Sequence, residues 1–238
     1  MKNIIVFFIL MFAFEVNSQS FEGKLEYFVS TEIIGDTLVQ NISKNKLIEK
    51  LKSQGEIPID TLTYIYSSKG DFVSISKYGS NNIISNYIKK NNLLYTFIGD
   101  FNIVSAIDVT IDLEEKLGNP PSVKKINKKE KIGDLECYIV EVKWETGTYR
   151  YYFSDSILKI DPELFKDYNY DQFYAFLRIS NALPIKIEKL TNNFFKSTYL
   201  LYSYTPQKID KVIFSIPKMR EDRTISNMYI NKKIFIIK

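Results

Sequence analysis

Carboxylate side chains are densest between residues 155 and 171, and they are the groups in this sequence with the clearest chemical potential. They are Asp155, Asp161, Glu163, Asp167 and Asp171. Paired carboxylates can hydrolyse a glycosidic bond, and clustered carboxylates can bind Ca²⁺. The calcium-loop pattern D-x-[DN]-x-[DN]-G is absent from the sequence. Because Asp161 directly precedes Pro162, helix capping and solvation explain these residues more simply, and a carboxylate-dependent hydrolase remains a third hypothesis.

Most other catalytic machineries are excluded by composition. The sequence has no His and one Cys, Cys137. Ser-His-Asp and Cys-His catalysis therefore lack their base, and neither a Cys/His zinc cluster nor an internal disulfide can form. The sequence contains no G-x-S-x-G, P-loop or G-x-G-x-x-G motif. Cys137 lies mid-strand, which favours a buried small side chain over a reactive thiol. We predict no catalytic residue, no metal and no cofactor.

The N-terminal residues 1–20 are typical of a secretory signal. Lys2 precedes an apolar stretch from Ile4 to Phe14, and small polar residues follow it. The stretch is too short for an ordinary membrane span, although an uncleaved anchor is the alternative. No Cys follows the stretch, which argues against a lipoprotein anchor. We therefore predict an exported protein, periplasmic or at the cell surface, with no transmembrane span after cleavage.

Basic residues are concentrated in two segments. Lys124–Lys131 contains five lysines and one glutamate, which predicts an anion-binding patch or a solvated edge strand whose lysines discourage edge-to-edge pairing. Lys218–Lys238 contains six basic and two acidic residues, so its net charge of 6 − 2 = +4 equals that of the whole chain. The rest of the chain sums to zero. The basic balance is therefore no argument for nucleic-acid binding.

Apolar and polar residues alternate along most of the remaining chain. Phe21–Ser30 alternates with period two, as a half-buried strand does. Between Thr61 and Leu113, short β-rich runs are separated by turn dipeptides about every ten residues, which predicts an antiparallel meander. Glu136–Trp144 and Thr148–Ser154 are predicted to form a hairpin. The predicted strands that follow are Leu183–Leu190 and Phe194–Tyr204.

Two segments have helical periodicity instead. Ser43–Lys52 carries an apolar stripe of Leu47, Ile48 and Leu51 among Lys and Glu residues. The stretch Asp161–Ser180 opens with Asp-Pro, a good helix start, and continues with aromatic residues at helical spacing. Strands with one apolar face need a cover, and two amphipathic helices can provide it.

The predicted fold is α+β and β-dominated. It is a curved antiparallel sheet, an incomplete barrel, with the two short helical insertions covering its concave face. A closed up-and-down barrel is the alternative architecture. Residues 21–217 are predicted to form a single domain after the signal of residues 1–20, and residues 218–238 to be a basic tail or an added edge strand.

Several segments, in this order, resemble exported Gram-negative envelope proteins with the LolA/LolB lipoprotein-carrier fold and, more distantly, the GLPGLI family. The similar segments are FEGKLEYFVS (Phe21–Ser30), KKEKIGDLECYIVEV (Lys128–Val142), YYFSD (Tyr151–Asp155), LPIKIE (Leu183–Glu188) and KIDKVIFSIPK (Lys208–Lys218). The resemblance implies an incomplete barrel whose helices plug the concave side. In carriers of this type the cavity between sheet and helices shelters acyl chains, which implies a lipid or acyl ligand here.

Aromatic residues are abundant, with 17 Tyr and 17 Phe, and those on the predicted strands and second helix could line such a cavity or fill a plain core. The candidate lining residues are Tyr149, Tyr151, Phe153, Phe173, Phe176, Leu177, Tyr199 and Leu201. The leading hypothesis is an exported non-enzymatic envelope protein that binds a lipid or other apolar ligand. The alternative is a structural module with a filled core and a basic tail that docks an envelope partner.

Overall fold

The computed structural model describes residues 20–35, 43–53, 60–78 and 81–238. In these residues the chain forms thirteen strands and several short helices. The strands are β1 (Gly23–Ile33), β2 (Thr61–Tyr66), β3 (Phe72–Tyr78), β4 (Asn81–Ile88), β5 (Leu93–Ile98), β6 (Ile103–Asp108), β7 (Ser122–Ile132), β8 (Leu135–Lys143), β9 (Gly147–Phe153), β10 (Lys186–Thr191), β11 (Phe195–Pro206), β12 (Met219–Glu221) and β13 (Lys232–Ile237). The α-helices are α1 (Lys44–Ser53), α2 (Leu113–Lys116), α3 (Phe173–Ser180) and α4 (Arg223–Ser226). Short 3₁₀ helices cover Lys89–Asn91, Pro162–Phe165, Tyr170–Gln172 and Lys211–Phe214. Apart from Ser20, the predicted signal segment lies outside the described residues.

All thirteen strands belong to one antiparallel sheet. Its order is β12-β13-β6-β5-β4-β3-β2-β1-β11-β10-β9-β8-β7. The two end strands, β12 and β7, do not pair with each other, so across the described residues the sheet is open. The predicted β-dominated, incomplete barrel is confirmed, and the closed barrel is not formed.

The first strand occupies the middle of the sheet and joins its two halves. In β1, Leu25, Tyr27 and Val29 are buried on one face, while Phe28 and Ser30 are exposed on the other. This alternation is the predicted period of two. β1 pairs with β2 on one side and with β11 on the other. It therefore links the meander β2–β6 to the meander β7–β11.

The meander β2–β6 follows the predicted strand-and-turn pattern. Its β2–β3 turn depends on Gly70, whose φ of +92° suits glycine. A Cβ at this position would lie 2.9 Å from the carbonyl oxygen of Leu164. Leu164 belongs to the second helical insertion, residues 161–180, so the β2–β3 turn is in close contact with that insertion.

The meander β7–β11 includes the predicted hairpin, formed by β8 and β9. β7, which carries the lysines of Lys124–Lys131, is an end strand of the sheet. The strand predicted from Leu183 begins three residues later, at Lys186. Pro184 has no N–H to donate to a strand ladder, and its carbonyl oxygen instead accepts the hydroxyl of Tyr27 at 2.6 Å.

The second helical insertion packs on the buried face of the sheet. Phe165, Phe176 and Leu177 are fully buried there. The ring of Phe176 stacks on that of Tyr151 at 4.6 Å. By contrast, α1 contacts β1 and only half-buries its apolar stripe. The insertion of residues 161–180 therefore provides most of the cover for the core.

The C-terminal residues form strands rather than a separate tail. β13 pairs with both β6 and β12. Phe235 of β13 packs against a small second core that contains Tyr95, Val104 and Ala106. No helix in the described part of the chain is long and apolar enough to cross a membrane.

Candidate functional site

A cleft of about 440 Å³ lies between the inner face of the sheet and the second helical insertion. Strands from both meanders contribute to its wall, and β1 contributes Tyr27 at the centre. Nine aromatic side chains line it, namely Tyr27, Tyr64, Tyr66, Phe72, Tyr151, Tyr168, Tyr170, Phe173 and Tyr199. The serines Ser74, Ser76 and Ser85 add hydroxyl groups on β3 and β4. The cleft is therefore aromatic in its walls and polar at several points.

The insertion is held in place by short-range capping and by one loop carbonyl. Asp161 caps the 3₁₀ helix Pro162–Phe165, since its Oδ1 accepts the backbone N–H of Glu163 at 3.0 Å. The backbone N–H groups of Asn169 and Tyr170 both donate to the carbonyl of Val109, at 2.7 and 3.0 Å. These contacts fix the segment that carries the cleft residues of the insertion.

One ion pair crosses the cleft. Lys189 Nζ on β10 lies 2.6 Å from Asp171 Oδ2 on the insertion, and both side chains are about three-quarters buried. Asp171 and Gln172 adopt φ values of +57° and +55°, a left-handed conformation that non-glycine residues rarely adopt. The Lys189 ammonium also lies 4.7 Å from the ring centre of Tyr149 and 6.0 Å from that of Tyr199. Burial is the largest single influence and lowers the pKa of Lys189, but Asp171 together with the neighbouring tyrosines outweighs it, so the pKa is raised well above its ordinary value.

Several tyrosine hydroxyls in the cleft have no hydrogen-bond partner in the part of the chain that the structure describes. Tyr27 donates to Pro184, and Tyr151 donates to the backbone carbonyl of Asp171 at 2.9 Å. Tyr64, Tyr66 and Tyr168 have no hydroxyl partner among the described residues. Their hydroxyls are also not among the fully buried unpaired atoms, so they stay in contact with the cleft. Burial is the main cause that raises the pKa of Tyr64, to about 12, and these groups remain neutral donors and acceptors at neutral pH.

The eight predicted lining residues fall into three groups. Tyr151, Phe173 and Tyr199 line the cleft. Tyr149 lines a smaller adjoining cavity. Phe153, Phe176 and Leu177 are packed in the core, and Leu201 is half-buried against that core without lining the cleft.

The sequence interpretation missed the half of the wall that lies on β1–β5. Leu62, Tyr64 and Tyr66 alternate along β2, and all three line the cleft. Their spacing was a usable signal, because residues two apart on a strand share a face. Lys189 had no such signal, since its partner Asp171 is far from it in sequence.

Three of the other residues considered for chemistry, Asp161, Glu163 and Cys137, have structural roles, whereas Asp155 and Asp167 are exposed. Glu163 accepts the hydroxyl of Tyr174 at 3.0 Å, and Asp161 is the cap described above. Cys137 is fully buried, and burial raises the pKa of its thiol. Among the described residues, no group of three or more His, Cys, Asp or Glu side chains could hold a metal ion.

No protein-family model and no curated protein matches the chain. Among solved structures, the chain is similar to PNGF-II in two space groups, P2₁ and C2. The TM-scores are 0.31 and 0.30, and the sequence identities are 10% and 11%. Each match covers 81% of this chain but only 30% of the PNGF-II chain. At this level of similarity, no function follows from the match.

Proposed function

We propose that this chain is an exported, non-enzymatic binding protein that holds an apolar or amphipathic ligand in the cleft between sheet and insertion. The cleft itself carries the proposal. Its volume of about 440 Å³ lies within the range of about 300–1,000 Å³ found for small-molecule sites. Export rests on the signal-like segment at Lys2 and Ile4–Phe14.

The aromatic wall would supply most of the binding free energy. Apolar surface removed from water stabilises a complex by roughly 25 cal/mol per Å², and tyrosine rings offer wide, rigid surfaces for this contact. The volume suits one small ligand or one acyl chain rather than several chains side by side.

The hydroxyls of the cleft favour an amphipathic ligand over a pure hydrocarbon. Those of Tyr64, Tyr66 and Tyr168 touch the cleft and lack protein partners among the described residues. Covering them with hydrocarbon would remove their water without replacing its hydrogen bonds, which costs free energy. A ligand with polar groups along part of its length would replace those bonds.

The test combines an apolar probe with a variant that fills the cleft. N-phenyl-1-naphthylamine, a neutral fluorophore that brightens in apolar sites, is titrated into the chain. Ser74 lines the cleft, so Ser74→Phe should weaken saturable binding at least about tenfold. Ser30 is exposed on the other face of β1, and Ser30→Phe is the matched control that should bind normally.

Native mass spectrometry of the gently purified chain then shows whether a co-purifying ligand is present and whether Ser74→Phe removes it. Absence of saturable probe binding, or equal binding by both variants, would refute the proposal. That result would favour the alternative of an interaction module with a filled core.

A further inference from the structure

A second cavity, of about 230 Å³, adjoins the cleft. Tyr170 and Asp171 line both spaces, so the cavity and the cleft meet at the Lys189–Asp171 ion pair. Its volume is below the usual range for a whole small-molecule site. The cavity therefore has the size of a subsite for one end of a ligand whose remainder lies in the cleft.

Aromatic rings form one side of this cavity. Trp144, Tyr149 and Tyr170 line it, and the Trp144 and Tyr149 rings meet edge to face at 5.0 Å with an interplanar angle of 70°. Aromatic faces arranged around a space attract ammonium groups, because each ring has a negative face. Tyr149 already makes such a contact with the Lys189 ammonium at its edge of the cavity.

Carboxylates form the other side, and two of them lack a cationic partner within the described ranges. Asp171 is neutralised by Lys189. Asp112 and Glu114 also line the cavity, but the ion pairs of the described residues include neither. Asp112 is only 6% exposed, and it accepts hydrogen bonds from the Glu115 backbone N–H and from Gln172 Nε2. A buried carboxylate without a cation favours a positively charged ligand group nearby.

The neighbouring tyrosine reports the same negative potential. The pKa of Tyr149 is raised to about 12, first by the charge of Asp171 and then by burial; the Lys189 ammonium opposes this shift, and Glu114 adds a smaller effect in the raising direction.

A buried donor supplies an independent sign of a ligand. Trp144 is 6% exposed, and its indole Nε1 has no hydrogen-bond partner among the described residues. Buried polar groups are normally paired. Because the Nε1 atom itself is fully buried, a ligand oxygen in the cavity would accept this N–H only after a shift of the Trp144 side chain.

We propose that the smaller cavity is the head-group subsite of the ligand-binding cleft, and that it selects an amphiphile whose ammonium head carries an oxygen acceptor. This inference rests on the proposed function and adds the chemical class of the ligand. The chain of the amphiphile lies along the tyrosine wall of the cleft. The head passes Asp171 and lies among Trp144, Tyr149 and Glu114.

Three ten-carbon amphiphiles that differ in head charge test this selection. Decanoylcholine, decyl sulfate and decyl maltoside are titrated into the chain by calorimetry, below their micelle-forming concentrations. Decanoylcholine should bind at least about tenfold more tightly than decyl maltoside, and decyl sulfate more weakly than both.

Two neighbouring residues of α2 provide a matched pair of variants. Glu114 lines the cavity, whereas Glu115 is exposed and does not. Glu114→Gln should weaken decanoylcholine binding about three- to tenfold and leave decyl maltoside binding unchanged. Glu115→Gln makes the same change in net charge and should leave both affinities unchanged.

The outcomes separate the two proposals. Similar affinities for all three amphiphiles, or equal effects of Glu114→Gln and Glu115→Gln, would overturn the head-group subsite while the binding cleft stands. Absence of saturable binding of the naphthylamine probe would overturn the binding function as well.

Discussion

Lys189 Nζ and Asp171 Oδ2, 2.6 Å apart, join strand β10 to the helical insertion across the cleft. Asp171 also accepts the hydroxyl of Tyr151 through its backbone carbonyl. The pair thus fixes the position of the insertion and divides the cleft from the smaller cavity. Its chemistry leads to the first two predictions.

Removing one member of this pair should destabilise the fold. Lys189→Met leaves the Asp171 carboxylate largely buried without its cation, which we expect to cost about 1–3 kcal/mol, less than for a fully buried pair. The exposed pair Lys129–Glu136 is the matched control, since Lys129→Met should change stability far less than Lys189→Met does. Urea unfolding measures both variants. Equal effects would show that the Lys189–Asp171 pair does not hold the insertion in place.

Stability should fall at alkaline pH. The pKa of Tyr64 and that of Tyr149 are raised to about 12 in the folded chain, by burial first for Tyr64 and by Asp171 first for Tyr149. Tyrosine in an unfolded chain has a pKa of about 10, so the unfolded chain releases these protons at a lower pH than the folded chain does. The stability is fully present below about pH 10 and is lost as the pH rises toward 12. The raised pKa of Lys189 acts with the same sign.

Urea unfolding between pH 8 and 11.5, together with tyrosine absorbance at 295 nm, measures this dependence. A free energy of unfolding that stays level through pH 11.5 would contradict the prediction.

Phe176 should behave as a core residue and Ser74 as a cleft residue. Phe176 is fully buried and stacks on Tyr151, so Phe176→Ala should lower the free energy of unfolding by about 3–5 kcal/mol. Ser74→Phe projects into the cleft and should cost less than about 1.5 kcal/mol. Thermal and urea unfolding compare the two. A small cost for Phe176→Ala would mean that the insertion is loosely packed.

Gly70 should tolerate no side chain. Its φ of +92° and the 2.9 Å approach of the Leu164 carbonyl both oppose a Cβ, so Gly70→Ala should cost about 2–4 kcal/mol. Gly133 has φ +58° but nothing within 4 Å of its added Cβ, and Gly133→Ala should cost about 1 kcal/mol. Equal costs would show that the contact between turn and insertion is not rigid.

Deleting residues 232–238 should destabilise the meander β2–β6, whereas the deletion of a docking tail would leave the fold intact. β13 covers the edge of β6, and Phe235 packs on Tyr95. Its removal exposes an edge strand and the second core, which favours aggregation. Size-exclusion chromatography measures the loss of monomer. A monomeric, normally folded truncation would restore the interpretation of this segment as a separate tail.

The sequence predicted the parts of this fold that depend on local pattern. Alternation placed β1 and the β8–β9 hairpin, and Asp161-Pro162 located the start of the second insertion. The cleft depends on long-range neighbours instead. Tyr64 and Tyr199 lie on different meanders that meet only through β1, and no periodicity shows which strands become adjacent. Phe153 and Tyr151 are two residues apart on β9, so the alternation pattern treats them alike, yet only Tyr151 lines the cleft.

The central position of β1 has a consequence for how the chain folds. Gly23 pairs with Tyr66 on one side and with Pro206 on the other, so one neighbour is near in sequence and the other is near the far end of the chain. Apart from the insertion between β9 and β10, each meander closes short loops. Joining β1 to β11 instead closes a loop that spans most of the chain, and such contacts form slowly. We expect the two meanders to form first and the pairing of β1 with β11 to form last. Since both meanders contribute walls to the cleft, a ligand would bind only after β1 has paired with β11.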